Sequence, residues 1–137
     1  LTALVCYEDI LPAFTRQAVL RGRPHLLVNM TNDAWFGDTN EPFIHLALAK
    51  FRAVEHRRYL IRATNSGVSA IVDPTGRVTQ AARSFRMENL RGEVRMLSGT
   101  TLYGVLGDWP GYASLLIVAL LLGDVVLRRV RSSRVRT

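Results

Sequence analysis

Apolar and polar positions along the chain change rhythm several times. Leu1 to Val5 is a short apolar run that stops at Cys6-Tyr7-Glu8-Asp9, after which Ile10, Leu11, Phe14, Ala18 and Val19 recur at helical spacing. The pattern predicts a strand, a sharp turn and a helix. Arg21-Gly22-Arg23-Pro24 ends that helix, since glycine accepts a left-handed cap and proline cannot continue the hydrogen-bond ladder. Leu26-Leu27-Val28 predicts a second strand, bounded by Asn29. Thr31 to Asn40 reads as a turn-rich loop holding Trp35 and Phe36, and Asn40-Glu41-Pro42 as the cap and first turn of a helix. That helix carries Phe43, Leu46, Ala47, Phe51 and Val54 and runs to about Arg57. Strands are predicted at Tyr59 to Ala63 and Val68 to Val72 around Asn65-Ser66-Gly67, with a turn at Asp73-Pro74-Thr75-Gly76 and a further strand at Gly92 to Leu97. Helices alternating with near-continuous apolar strands predict an α/β fold with a buried sheet. Because Leu1 already lies inside a strand pattern, the chain is expected to be the C-terminal piece of something longer.

The last segment has a different character. Ser98 to Asp108 is rich in Gly and Thr, and in Trp109 to Leu127 the only charge is Asp124. At about 1.5 Å per residue this window just covers a hydrocarbon core of ~30 Å. Trp109 and Tyr112 sit at one end and arginines at the other, the aromatic-belt and positive-inside arrangement that predicts a membrane helix with a cytoplasmic C-terminus. The alternative is a buried C-terminal helix of a soluble protein. The expected organisation is a domain over residues 1–101, a connector at 102–108, a transmembrane helix at 109–127 and a basic tail at 128–137.

Composition narrows the function classes. With 137 residues, 48% of them hydrophobic and 21% charged, the chain is too apolar for disorder and too short for a multidomain machine. A net charge of +7 invites a nucleic-acid reading. Five arginines (Arg128, Arg129, Arg131, Arg134, Arg136) nevertheless fall in the tail, leaving residues 1–127 with 13 basic against 11 acidic groups, a net of +2. A nearly neutral body excludes a basic nucleic-acid footprint. The single cysteine, Cys6, excludes an internal disulfide framework and a cysteine-rich metal site.

Cys6 is the candidate nucleophile. A thiol placed where a strand gives way to a helix meets free backbone N–H groups, which favour a thiolate and hold a developing oxyanion. Ionised Glu8 and Asp9 close to the thiol would oppose this, so at least one is expected to point elsewhere or share a proton.

Several runs carry a family resemblance: Cys6-Tyr7-Glu8 after an apolar strand, Thr31-Asn32-Asp33-Ala34-Trp35-Phe36-Gly37, His45, Arg52-Ala53-Val54-Glu55, Arg62-Ala63-Thr64-Asn65-Ser66-Gly67-Val68-Ser69-Ala70 and Gly107-Asp108-Trp109-Pro110. Together they resemble apolipoprotein N-acyltransferases, the membrane-bound branch of the nitrilase (carbon–nitrogen hydrolase) superfamily. The Asn-Asp-Ala-Trp-Phe-Gly run is the specific part; Cys-x-Glu alone would be weak. The sequence departs from the family at Glu41, Ile44 and Tyr59, where Gly, Gln and Pro are commoner.

The resemblance implies the C-terminal part of an α-β-β-α nitrilase-like sandwich on the periplasmic side of a bacterial inner membrane. It also implies a ping-pong acyl transfer without a cofactor or metal, from a phospholipid donor through a Cys6 thioester to the N-terminal amine of a diacylglyceryl-cysteine apolipoprotein. Glu8 matches a second acidic position that the family needs beside its cysteine and is expected to be catalytic with Cys6, the alternative being a turn carboxylate capping the following helix; Tyr7 would bring its backbone N–H to the oxyanion, and Trp35 and Phe36 would line the active site. The family's Glu base and its Lys precede the cysteine and lie outside these residues; Lys50 is read as a solvated helix position. His45 is expected to be a structural hydrogen-bonder, and Asn32, Asp33 and Asn65 to fix turns. The competing expectation is a soluble nitrilase-type amidase acting on small carbon–nitrogen substrates. A third is a non-catalytic membrane-anchored module whose arginines bind anionic lipid.

Overall fold

A computed structural model describes the backbone of residues 1–134 and the side chains of residues 1–125. Two units are distinguished, Leu1–Gly107 and Asp108–Thr137.

The first unit is built on one five-stranded mixed sheet in the order β1-β2-β3-β4-β5: β1 (Thr2–Val5), β2 (Leu26–Thr31), β3 (Tyr59–Thr64), β4 (Ala70–Val72) and β5 (Val78–Ala81). β1, β2 and β3 are parallel, joined through helices, whereas the last three are antiparallel and joined by tight turns. The Asp73 carboxylate makes the second of these turns by accepting from the Thr75 and Arg77 N–H groups and the Thr75 hydroxyl. Those bonds, the Thr75 hydroxyl foremost, hold its pKa below the usual carboxylate range.

Register separates the two faces of the sheet. Leu4, Leu27, Asn29, Leu60, Arg62, Ala70 and Val72 are buried, while their strand neighbours Ala3, Val5, Met30 and Ala63 are exposed. The buried face is covered by α1 (Pro12–Gly22) and α2 (Glu41–His56). Pro42, His45, Leu46, Ala49, Arg52, Ala53 and His56 repeat at three and four residues along α2 and form its buried stripe. Ala49 and Ala53 let the helix lie close on Leu27, Leu60, Val68, Ala70 and Val72, the core of the unit. This is one helix-covered sheet, half of the expected sandwich; on its other face Leu26 and Ile71 are buried while Ala3, Val5, Met30 and Ala63 are exposed.

Several expectations shift on inspection. β2 does not stop at Asn29 but runs to Thr31, because Asn29 and Arg62 are register partners and bond each other across the strands. Gly22 is still helical, and the left-handed cap of α1 is Arg23, whose N–H donates to Val19 O. Arg57 caps α2 in the same way. Arg58 then donates to the carbonyls of Pro24, His56, Arg57 and Gly99, satisfying helix-end and loop acceptors. Gly92–Leu97 forms no strand: the sheet ends at β5, and the segment's backbone tie is Leu97 N–H to His25 O. Within the expected connector, residues 102–106 form a short helix, α3 (Leu102–Leu106), capped by the Thr101 hydroxyl.

The second unit is α4 (Trp109–Arg134). Over the 109–127 stretch expected to be a transmembrane helix the chain is helical, with Leu115, Leu116, Ile117, Val118, Leu120, Leu121, Leu122 and Val125 all exposed, but the membrane span itself is not borne out. Among the described residues no helix is long and apolar enough to cross a membrane. The side chains of the basic tail at 128–137 lie outside the described residues.

Candidate active site

Cys6 follows β1 directly and opens a 3-10 turn, Cys6–Ile10, with a backbone φ of 52°. Left-handed backbone is disfavoured for a residue with a Cβ and persists only where neighbouring contacts impose it. It breaks the strand within one residue and leaves the thiol half-buried at the carboxyl end of the parallel strands. Glu8 turns back and accepts from the Val5 N–H at 2.7 Å, so its carboxylate fastens the turn from the outside. Tyr7 packs its ring flat on His45, with centroids 4.4 Å apart, and meets Phe36 edge-on at 6.0 Å. Its hydroxyl donates to Glu41. Burial first, then the Glu41 carboxylate, raises the pKa of the phenol far above its ordinary value, so Tyr7 remains a donor. Phe36 is thus brought to the residue beside Cys6, whereas Trp35 is 81% exposed.

Beneath the turn lies a fully buried polar cluster. Arg62 donates to Asp9 at 2.7 Å, to Asp33 at 3.0 Å and to the Asn29 side-chain oxygen at 3.0 Å. His45 faces the same two carboxylates, with Nε2 2.9 Å from Asp9 and Nδ1 3.2 Å from Asp33. His45 and Arg62 thus bridge the same two carboxylates, so each buried acid has two nitrogen partners. The Asn29 Nδ2 reaches up from this cluster and donates to Leu4 O and Cys6 O.

Sequence reasoning singled out Cys6, Tyr7, Glu8, Trp35 and Phe36. It took His45 correctly as a structural hydrogen-bonder, and Asn32 does fix a turn by accepting from Ala34 N–H and Asn65 Nδ2. Asp33 is more than a turn former, Asp9 is turned into the cluster, and Asn29 and Arg62 carry more than the strand positions read for them. A signal was present: Asn29 and Arg62 interrupt apolar strands, and a buried arginine demands partners. Asp33, Glu41 and His45 each place one potential metal ligand atom within 4.8 Å of the others. Their contacts with Arg62, Tyr7 and Asp9 already occupy that cluster.

A cavity of about 570 Å³ lies elsewhere, lined by Arg23, His25, His56, Arg58 and the 98–101 loop at the opposite ends of the strands from Cys6. Its Arg58 serves the carbonyls of helix ends and a loop, as described above, which accounts for the cation there.

A half-buried cysteine on a left-handed turn after a parallel strand, held over a buried charge cluster, marks the candidate site of this α/β domain. The chain belongs to the carbon–nitrogen hydrolase family, whose model matches residues 1–97. Among named relatives, it is 42% identical over 135 residues to the apolipoprotein N-acyltransferase of Methylococcus capsulatus, covering 97% of this chain and 25% of that protein. With the apolipoprotein N-acyltransferase of Azotobacter vinelandii the identity is 44% over 125 residues, 91% of this chain and 23% of the relative. The chain therefore spans about a quarter of the length of these relatives. Among solved structures, a cysteine-to-alanine mutant of the Nesterenkonia AN1 amidase, from the nitrilase superfamily, superposes with a TM-score of 0.50 at 28% identity, over 61% of this chain and 33% of that one.

Proposed function

We propose that this chain is the nucleophile-bearing part of an apolipoprotein N-acyltransferase. The observation that carries the reading is its 42% identity to such an enzyme over 97% of the chain, a stretch reaching beyond the 1–97 domain toward α4. The amidase likeness covers 61% of the chain and supports the small-substrate alternative at the level of the superfamily.

In this reading the Cys6 thiolate attacks the ester carbonyl of a phospholipid. The tetrahedral oxyanion is held by backbone N–H groups of the turn, Tyr7 N–H among them, and collapses by expelling the lysophospholipid alkoxide, which takes up a proton. The free amine of the lipoprotein's terminal diacylglyceryl-cysteine then attacks the thioester, loses a proton to the base, and leaves as an amide while the thiol is restored. A cysteine suits both halves, being a good nucleophile and then a good leaving group. The Glu base and the Lys come from parts of the enzyme outside these residues, so the 137-residue chain alone does not turn over. Phe36 and the exposed Trp35 offer apolar surface for an acyl chain near the turn. Glu8 holds the turn in shape. The sheet face opposite α1 and α2 receives the second sheet of the sandwich, and α4, apolar on all sides from Leu115 to Leu122, lies in the inner membrane with the domain on the periplasmic side.

The test uses the full-length protein in membranes supplied with a phospholipid bearing a tagged acyl chain. The expected result is a label on Cys6 that hydroxylamine removes and that Cys6→Ser fails to accumulate as a thioester. An inserted, folded protein that acquires no label on Cys6 would overturn the reading.

A further inference from the structure

The left-handed conformation of Cys6 needs a cause, and the sequence offers no glycine there to make it inexpensive. Most of the turn's other bonds are local. Glu8 reaches back only three residues to Val5, and Leu11 N–H donates to Glu8 O at its far end. Neither fixes the carbonyl of Cys6 itself. One side chain does: Asn29 on the neighbouring strand donates through a single nitrogen to Leu4 O at 3.3 Å and to Cys6 O at 3.0 Å. These two carbonyls bracket the point where the extended chain becomes the turn. A donor bonded to both fixes their relative orientation, and with it the torsions of Val5 and Cys6.

An amide can do this only if its nitrogen, not its oxygen, faces the turn. That choice is imposed from below. Arg62 has donors and no acceptor, so the Asn29 atom it contacts at 3.0 Å must be the oxygen, which leaves the NH2 directed at Leu4 and Cys6. Arg62 is itself immobilised by Asp9 and Asp33, and both carboxylates are bridged by His45, all of them fully or almost fully buried. Asn29 is wholly buried and lies beside Leu4 in one register row and beside Arg62 in the next.

We infer that Asn29 is the positioning residue of the Cys6 turn, with Arg62 dictating which end of its amide meets that turn. Asn29 acts through the backbone of the nucleophile, so its removal slows formation of the acyl-enzyme without weakening substrate binding. The inference rests on Cys6 being the nucleophile, as proposed above, and the experiment separates the two.

Two variants of the full-length enzyme decide it. Asn29→Asp keeps the size of the side chain and an oxygen for Arg62 but replaces the donor by a carboxylate that repels both carbonyls. Asn29→Ser introduces no charge and carries one short hydroxyl that cannot span both acceptors, and it stands in if the first variant does not fold. Single-turnover acylation by the tagged phospholipid is measured on the folded, inserted fraction, together with KM for the phospholipid and site-resolved alkylation of Cys6 by iodoacetamide. Expected are an acylation rate at least tenfold below wild type, an unchanged KM, and an alkylation rate altered at least threefold. A side chain that merely supported folding would lower the melting temperature and leave the rate per folded molecule intact; that result overturns the inference. Wild-type protein that forms no thioester at Cys6 overturns the functional reading instead, while the alkylation comparison still reports on the turn.

Discussion

His56 shows how much one side chain's surroundings decide. It is buried, it lies near the guanidinium groups of Arg52, Arg58 and Arg16, and its pKa is lowered to about 4 by burial and then by those charges. An unfolded chain binds a proton there near pH 6.5, so between about 6.5 and about 4 the unfolded state holds more protons than the folded one. Stability contributed by neutral His56 is therefore fully present above about pH 6.5 and is lost as the pH falls toward 4, by less than about 3 kcal/mol once solvent screening is allowed for. Thermal melts of the protein across that range should show the decline, and His56→Phe should flatten it; a wild-type melting temperature constant over the window would contradict the assignment. Cys6, Tyr7 and Phe36 were legible as residues because the order of types along the chain already placed a thiol at a strand end and aromatics on a loop. Asp9, Asn29 and Arg62 were not, because their meaning lies in who faces whom across strands, which no periodicity within one strand reports. The partnership of Tyr7 with Glu41 was equally hidden, being made across 34 positions.

At the scale of elements, the loop between β3 and β4 has the tightest constraint. A Cβ built on Gly67 would stand 2.2 Å from the Asp33 carboxylate oxygen, so the loop approaches the charge cluster as closely as a missing side chain allows. Gly67→Ala must push Asp33 away from Arg62 or the loop away from the sheet. Breaking such a buried pair costs about 3–5 kcal/mol, and the variant is expected to lose most of its folded protein along with acylation. Recovery of wild-type melting behaviour would show that the loop yields more easily than its packing indicates. The strands and the two long helices were legible because each presents a clear apolar rhythm to one core. Gly92–Leu97 misled because alternation of Val94 and Met96 with charged Glu93 and Arg95 satisfies the pattern of an edge strand while β5, the sheet's last strand, offers it no pairing. Arg23 and Arg57 as left-handed caps were hidden for a related reason: the bonds that Arg23 N–H and Arg58 make to helix-end carbonyls offset a conformation that propensity alone assigns to glycine.

On the scale of the whole molecule, two apolar surfaces ask for partners: the exposed part of the sheet face opposite α1 and α2, and the sides of α4. In the proposed reading the first belongs to the rest of the enzyme and the second to lipid. Alkaline carbonate extraction of membranes is expected to leave the full-length protein in the pellet, and release into the supernatant would favour a soluble amidase. The closure of the first unit was not legible. Residues 97–105 are tied down by partners far back along the chain: Leu97 by His25, Gly99 by Arg58, Thr101 through its bond to Glu55 O, and Gly104 and Val105 by Arg16. His25, Glu55, Arg58 and Arg16 are made before the segment that ties to them, so during synthesis the domain closes only after residues 97–105 have cleared the ribosome's exit tunnel. A ribosome stalled with that strap still inside the tunnel would hold the domain unclosed.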